Sequence, residues 1–246
     1  LVLPGGCNVV VAPVAVDGED LGVAVGEWGG SSEARIPMST VQALAQAAMH
    51  TALALRNAEL LGEVERLATR DSLTGLANRR LFDESLHREA ARSERLGAPL
   101  SLLVLDVDHF KQVNDGYGHQ TGDRVLRDVA QALVANTKGF DVAARYGGDE
   151  FVVLLPGCKR DDAVRVAQRV RREIARQVGD APVTISAGVA TMPDNAQDAE
   201  RLIAAADSAL YDAKRMGRDR VTASTRVGES ASPAALSWSA SLARGA

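Results

Sequence analysis

The first thirty residues alternate short apolar runs with turn signals: NVVVAPVAV, then DGED, then LGVAVGEW. Period-two alternation broken by Asp and Gly predicts a β-hairpin turning at Asp17–Asp20. One hairpin cannot bury a core by itself. Residues 31–37 read as a loop. From Ser39 the period changes. Val41, Leu44, Ala45, Ala48, Met49, Ala52, Leu53, Leu60, Val64 and Leu67 recur at three- and four-residue steps, with Ser39 or Thr40 able to cap and no Pro inside. That spacing predicts one helix of about 28 residues. Its narrow stripe fits a coiled-coil seam, and packing on its own domain is the other reading.

Past ATRDSLTGLANRR the pattern predicts an amphipathic helix over Arg79–Leu96. PLSLLVLDVD is a continuous apolar run, hence a buried strand, and residues 108–111 turn out of it into a short helix. Helical patterns follow at Gly122–Ala135, Arg160–Gln177 and 199–216. Strands are expected at 141–146, 151–155 and 183–191, with Arg220–Thr222 as a last short one. The expected architecture is therefore one α/β (α+β) domain over residues 70–222 with a central, mostly antiparallel sheet. Residues 223–246 are rich in Ser and Ala without a period and read as disordered.

Composition narrows the class. Of 246 residues 46% are apolar but only 4% aromatic, so the core must be built from Ala, Val and Leu. A net charge of −4 argues against non-specific nucleic-acid binding, though not against a local basic pocket for a nucleotide. The two cysteines, Cys7 and Cys158, stand outside any C-x-x-C pattern, and His50, His87, His109 and His119 form no zinc-type cluster. A reducing cytoplasm fits. No apolar run is long enough to span a bilayer. The chain starts at Leu1 without a basic and then apolar leader, and is expected to be a piece of a longer one.

The candidate chemistry sits at two strand ends. Asp106 and Asp108 close the buried run in LVLDVDHFK, and Asp149 and Glu150 occupy the turn of AARYGGDEFVVLLP. If these strands are neighbours, Asp106 and Glu150 converge, and converging carboxylates need protons or a cation. An oxygen-only donor set points to Mg²⁺ or Mn²⁺ rather than zinc, with waters and phosphate oxygens completing the shell. Gly147 and Gly148 leave their backbone open to a ligand. The N–H groups of residues 108–111 face an anion if a helix starts there. Lys111, Lys214 and Arg218 stand at element ends, although the run DAKRMGRDR also reads as an ordinary helix C-terminus with a glycine stop.

Four stretches resemble the motifs of the GGDEF family of diguanylate cyclases, in family order over about residues 69–222: DSLTGLANRR, DVDHFKQVNDGYGHQTGD, RYGGDEF and ALYDAKRMGRDRV. The resemblance implies a palm-like fold akin to nucleotidyl cyclases and some polymerases. It implies condensation of two GTP into cyclic di-GMP and two pyrophosphates by a two-fold dimer, with one GTP and Mg²⁺ per domain. By position, Asp106 and the carbonyl of Val107 resemble metal ligands, completed by Asp149 and Glu150. Asp149 also resembles the base for the ribose 3′-OH, and which of the two acids does which stays open. Asn114 and Asp123 resemble the guanine readers, with His119 at a third nucleotide position. Lys111, Lys214 and Arg218 resemble phosphate contacts, with the backbone of His109 and Phe110 and the open turn at Gly147 and Gly148 covering the phosphates.

One departure stands out. Many members carry R-x-x-D before the signature as a product-inhibitory site; here the run is KGFD, with Lys138 in place of Arg and Asp141 retained. Lysine cannot reproduce the guanidinium fork, so inhibition there is expected to be weak. Residues 1–58 resemble the end of a GAF sensory domain, which would make 1–37 a partial GAF-like hairpin and 38–68 a signalling helix that pairs with its twin. The upstream ligand is unknown. A module that senses GTP or cyclic di-GMP without turnover and a dimerisation arm are the competing readings. A degenerate module would lack some of Asp106, Asn114, Asp123, Asp149 and Glu150, and all five are present.

Overall fold

The computed structural model describes residues 9–27, 36–177 and 183–225, the side chains of residues 63–66 excepted. The chain divides into two compact units, residues 1–66 and 67–246.

In the first unit, β1 (Val9–Val16) and β2 (Glu19–Glu27) form the expected antiparallel hairpin, with Val9 opposite Glu27 and Val16 opposite Glu19. The turn is the pair Asp17–Gly18, both at positive φ, as a two-residue hairpin loop demands. Helix α1 runs from Met38 to Thr69. Ala12 and Val14 bury against Ala48 and Ala52 of α1, with Leu21, Ala24 and Leu44 around them. The apolar stripe read from the sequence therefore serves two faces. Leu44, Ala48 and Ala52 line the hairpin, whereas Met49, Leu53 and Leu60 are 58%, 51% and 49% exposed.

The second unit carries the mixed domain. Its elements are α2 (Arg79–Leu96), β3 (Leu100–Val107), α3 (Phe110–Tyr117), α4 (His119–Asn136), β4 (Val142–Arg145), β5 (Glu150–Pro156), α5 (Arg160–Gln177), β6 (Ile185–Met192), α6 (Ala199–Arg215) and β7 (Val221–Ala223). The sheet order is β4-β5-β3-β6-β7, antiparallel throughout except for the parallel β6–β7 edge. All eight residues of β3 are buried, which is why its sequence reads as one unbroken apolar run. Alternate β3 residues feed two cores. Leu103, Leu105 and Val107 pack with α4 and α5, and Leu100, Leu102 and Val104 with α2 and α6. Each such leucine contributes on the order of 2 kcal/mol of burial free energy.

Two boundaries differ from the sequence reading. The short helix after β3 is an eight-residue element, α3, and α4 starts three residues earlier than Gly122. The tail read from residue 223 begins later. Ala223 ends β7, Ser224 N–H donates to the Val189 carbonyl, and the Asn195 amide donates to the carbonyls of Ser224 and Thr225. The rest of that tail lies outside the described residues. No helix among the described residues is long and apolar enough to cross a membrane.

Candidate functional site

The β3–β5 ladder sets Asp106 directly opposite Glu150 at its open end. The connection closes there: Val107 N–H donates to the Asp149 carbonyl (3.2 Å) and Tyr146 N–H to the Glu150 carbonyl (2.9 Å). The Glu150 side chain lies close over Gly147: a methyl at 147 would come within 2.5 Å of Glu150 Oε2 and displace the end of that side chain. The turn is held from outside by Arg145. Its guanidinium donates to the Gly148 carbonyl (2.7 Å) and to both oxygens of Asp71 (3.2 Å each). Asp71 also accepts from the Thr74 N–H and hydroxyl. Burial pushes the Asp71 carboxyl up, but the Thr74 hydrogen bonds and the Arg145 charge outweigh it and hold the group below its ordinary value.

Lys214, in the last turn of α6, reaches across to Asp106, with Nζ 2.7 Å from Oδ2. Asp106 is nevertheless pushed up to about 6: burial is the largest cause, Lys214 opposes it, and the charges of Asp149 and Glu150 add to it. The four groups thus form one electrostatic cluster in which negative charge exceeds what Lys214 neutralises.

Among the described residues no three or more His, Cys, Asp or Glu side chains are gathered as a metal-binding group. The donor chemistry still fits Mg²⁺ or Mn²⁺, which take few carboxylates and leave the rest of the shell to water and phosphate. A primary ammonium already sits on Asp106 Oδ2, Glu150 stands opposite Asp106 in the ladder, and Val107 N–H donates to the Asp149 carbonyl. A hard cation at Asp106 suits that excess of negative charge.

The nucleotide candidates fall into neighbouring groups. His109 adopts a left-handed backbone (φ 58°) at the start of α3, followed by Phe110 and the exposed Lys111. Asn114 lies against α4 so closely that a Cβ at Gly122 would sit 1.9 Å from its Oδ1 and 3.2 Å from the Phe110 ring. Only glycine permits that approach, and Asp123 is the next residue. His119 is one helical turn earlier on α4, exposed like Asp123. Arg218 stands exposed just past α6.

Lys138 and Asp141 lie elsewhere. They close a turn on each other through Lys138 N–H to Asp141 Oδ2 (2.7 Å) and Asp141 N–H to the Lys138 carbonyl (3.0 Å). Two recesses of about 380 and 470 Å³ share Phe140 and Pro156, at the end of the ladder opposite the carboxylates. Sequence reasoning gave no role to the Asp71–Arg145 pair, whose members are 74 positions apart, or to Asp108, whose partners are 76 or more positions away along the chain. The signal available for Asp71 was its place in DSLTGLANRR.

The structure thus presents an antiparallel-centred sheet with facing carboxylates, Asp106 and Glu150, beside a glycine turn, and with Lys214 on Asp106. The chain belongs to the family "Diguanylate cyclase, GGDEF domain", whose match covers residues 68–220. It is 44% identical over 170 residues to diguanylate cyclase DosC of Escherichia coli, covering 66% of this chain and 37% of that protein. It is 40% identical over 164 residues to the response regulator PleD of Caulobacter vibrioides, covering 63% and 36%. The matched stretch is thus little more than a third of these relatives. Among solved structures, the coiled coil and GGDEF domain of DgcB from Caulobacter crescentus, in complex with c-di-GMP, matches with a TM-score of 0.67 and 38% identity, over 73% of this chain and 98% of that one. The diguanylate cyclase SiaD from Pseudomonas aeruginosa, in complex with its activator SiaC, matches at 0.61 and 37%, over 76% and 73%.

Proposed function

We propose that the chain is an active diguanylate cyclase that condenses two GTP into cyclic di-GMP with release of two pyrophosphates. The observation that carries this most is the direct pairing of Asp106 with Glu150 at the end of the ladder, beside the glycine turn at Gly147 and Gly148. Each domain takes one GTP. Asn114 and Asp123 complement guanine, whose N1–H and N2–H₂ donate to a carboxylate and whose carbonyl oxygen and ring nitrogen accept from an amide. His119 borders the same corner. Lys111, Lys214 and Arg218 take the phosphates, helped by the backbone of His109 and Phe110 and by the open backbone at Gly147 and Gly148.

One of the two turn acids, Asp149 or Glu150, receives the proton of the ribose 3′-OH. That oxygen attacks the α-phosphorus of the GTP on the facing domain, and the bond to pyrophosphate breaks. Two such attacks close the ring, so two domains must face each other about a two-fold axis. Asp106, the Val107 carbonyl, Asp149 and Glu150 would hold Mg²⁺ or Mn²⁺, which would neutralise charge on the phosphates and acidify the attacking hydroxyl.

The half-exposed apolar face of α1, with Met49, Leu53 and Leu60, is the surface through which two chains pair. The hairpin and start of α1 are the end of a GAF-type sensory region that sets the activity. The test is direct: the purified chain, GTP and Mg²⁺ should give cyclic di-GMP with two pyrophosphates per product. Hydrolysis of GTP without cyclic product, or no reaction at micromolar protein, contradicts the reading.

A further inference from the structure

We propose that Asp108 is a positioning residue for nucleotide binding: it fixes the strained loop after α6 so that Arg218 is presented to the phosphates. The inference rests on Arg218 being a phosphate contact, and it assigns a role to a buried carboxylate that the chemistry above does not use.

Asp108 is two residues from Asp106 but is placed for a different task. It is 4% exposed, and its oxygens are already committed. Oδ1 accepts from the Ser186 hydroxyl (2.7 Å); Oδ2 accepts from the Thr184 hydroxyl (2.7 Å) and from the backbone N–H of Asp219 (3.1 Å). A buried carboxylate persists only with such donors, and hydrogen bonds to an ionised acceptor are the stronger kind. Two of its donors come from the β6 side of the sheet and the third from the loop. Asp108 therefore ties that loop to the end of β3.

The loop needs tying. Arg218 and Asp219 both have left-handed backbones, at φ 61° and 44°. Consecutive non-glycine residues in that region are costly and persist where the surroundings over-determine them. The surroundings do so here. Arg218 N–H donates to the Ala213 carbonyl (3.1 Å), Arg220 Nε donates to the Arg218 carbonyl (3.0 Å), and Ala187 N–H donates to the Arg220 carbonyl (2.9 Å). From the outer side, Arg171 of α5 donates to the Asp219 carboxylate (2.6 Å) and carbonyl (3.2 Å). The backbone of Arg218 is thus fixed on both sides. Its guanidinium, by contrast, is exposed and makes no hydrogen bond or ion pair among the described residues. A rigid base under a free cationic head is what pre-organised anion binding requires.

The test is a double-mutant cycle read by binding of a fluorescent, non-hydrolysable GTP analogue with Mg²⁺, so that turnover is not needed. Asp108→Asn keeps the shape but removes the charge that holds three donors. It should stay folded and weaken binding about fivefold, and Arg218→Ala alone about tenfold. The double variant should be no more than about twofold weaker than Arg218→Ala, because both changes remove the same contact. Combined with Asn114→Ala, at the guanine corner, the loss from Asp108→Asn should instead multiply. Wild-type affinity for Asp108→Asn, full multiplication with Arg218→Ala, or no effect of Arg218→Ala overturns the proposal. If Asp108→Asn does not fold, Arg171→Gln decides. It loosens the same loop from outside and should weaken binding two- to threefold without multiplying with Arg218→Ala. Intact coupling in a chain that makes no cyclic di-GMP would sink the cyclase reading and leave this one standing.

Discussion

At Asp106 the requirements of folding and of chemistry pull apart. Its carboxyl lies near 6 instead of 3.8 because it is buried beside two other acids. The folded domain therefore binds this proton more tightly than the unfolded chain does, and stability falls as pH rises from the unfolded value through about 6. Above that window the ionised group costs the fold on the order of 3 kcal/mol relative to an unperturbed carboxylate. Asp106→Asn should accordingly abolish turnover while raising the stability of the metal-free protein at pH 7 by about 1–2 kcal/mol, less than the full amount because Lys214 loses its partner. Urea unfolding in the presence of a chelator at pH 5 and pH 7 checks this: the wild type should lose stability between the two values and the variant should lose less. An Asn variant less stable than the wild type at pH 7 contradicts it. At Asp71 the sign reverses. Its lowered carboxyl stabilises above the ordinary carboxylate range, and that contribution fades as pH falls through the depressed value. Asp71→Ala should leave guanine binding in place and lower turnover several-fold, because Arg145 loses the anchor through which it holds the Gly148 carbonyl. Measuring the rate constant and analogue affinity side by side tests it. Equal loss in both would mean general disorder.

The elements themselves show which parts of the fold can be read from sequence. Strand β3 was legible because burial on both faces makes its sequence continuously apolar, and α2 because its pattern is amphipathic, with Phe82, Leu86 and Ala90 buried on one face. Helix α3 was only glimpsed. Val113 is its one buried residue, so no apolar period marks it. The first turn of α4, His-Gln-Thr, is equally polar. In α1 the period was clear but its meaning was not, since one stripe in sequence splits into a face packed on the hairpin and a half-exposed face. That split sharpens a prediction. Charges at Leu53 and Leu60 should not disturb packing within one chain, yet should divide the proposed dimer and lower activity at low protein concentration, with recovery as concentration rises. Sedimentation alongside an activity titration tests it, and a monomeric variant fully active at nanomolar protein would refute the role of the stripe. The groove at the far end of the β3–β5 ladder gives another. Lys138 Nζ lies 6.0 Å from the Phe140 ring centroid, Asp141 is engaged by the Lys138 N–H, Arg165 pairs with Asp162, and Arg169 donates to Asn136. Without a guanidinium at 138, cyclic di-GMP should inhibit only above about 1 μM, a binding free energy weaker than roughly −8 kcal/mol. Strong submicromolar inhibition relieved by Asp141→Ala would show otherwise.

For the molecule as a whole, the candidate site is legible as chemistry and less so as geometry. The two acid pairs, the glycines and the basic residues stand out in the sequence. The contacts that make them a site, Asp106 with Glu150, Lys214 with Asp106, Arg145 with Asp71, are non-local pairings that no period announces. On the function proposed above, a pair of these domains uses the turn acids to close two GTP into a ring. The most direct measurement compares cyclic di-GMP formation by the wild type, Asp149→Ala and Glu150→Ala from GTP and Mg²⁺ at equal protein concentration, with circular dichroism as the control for folding. Both acids lie at a half-exposed turn, so the variants should fold as the wild type does and make at least a hundredfold less product. Near-wild-type synthesis by either folded variant would contradict the account.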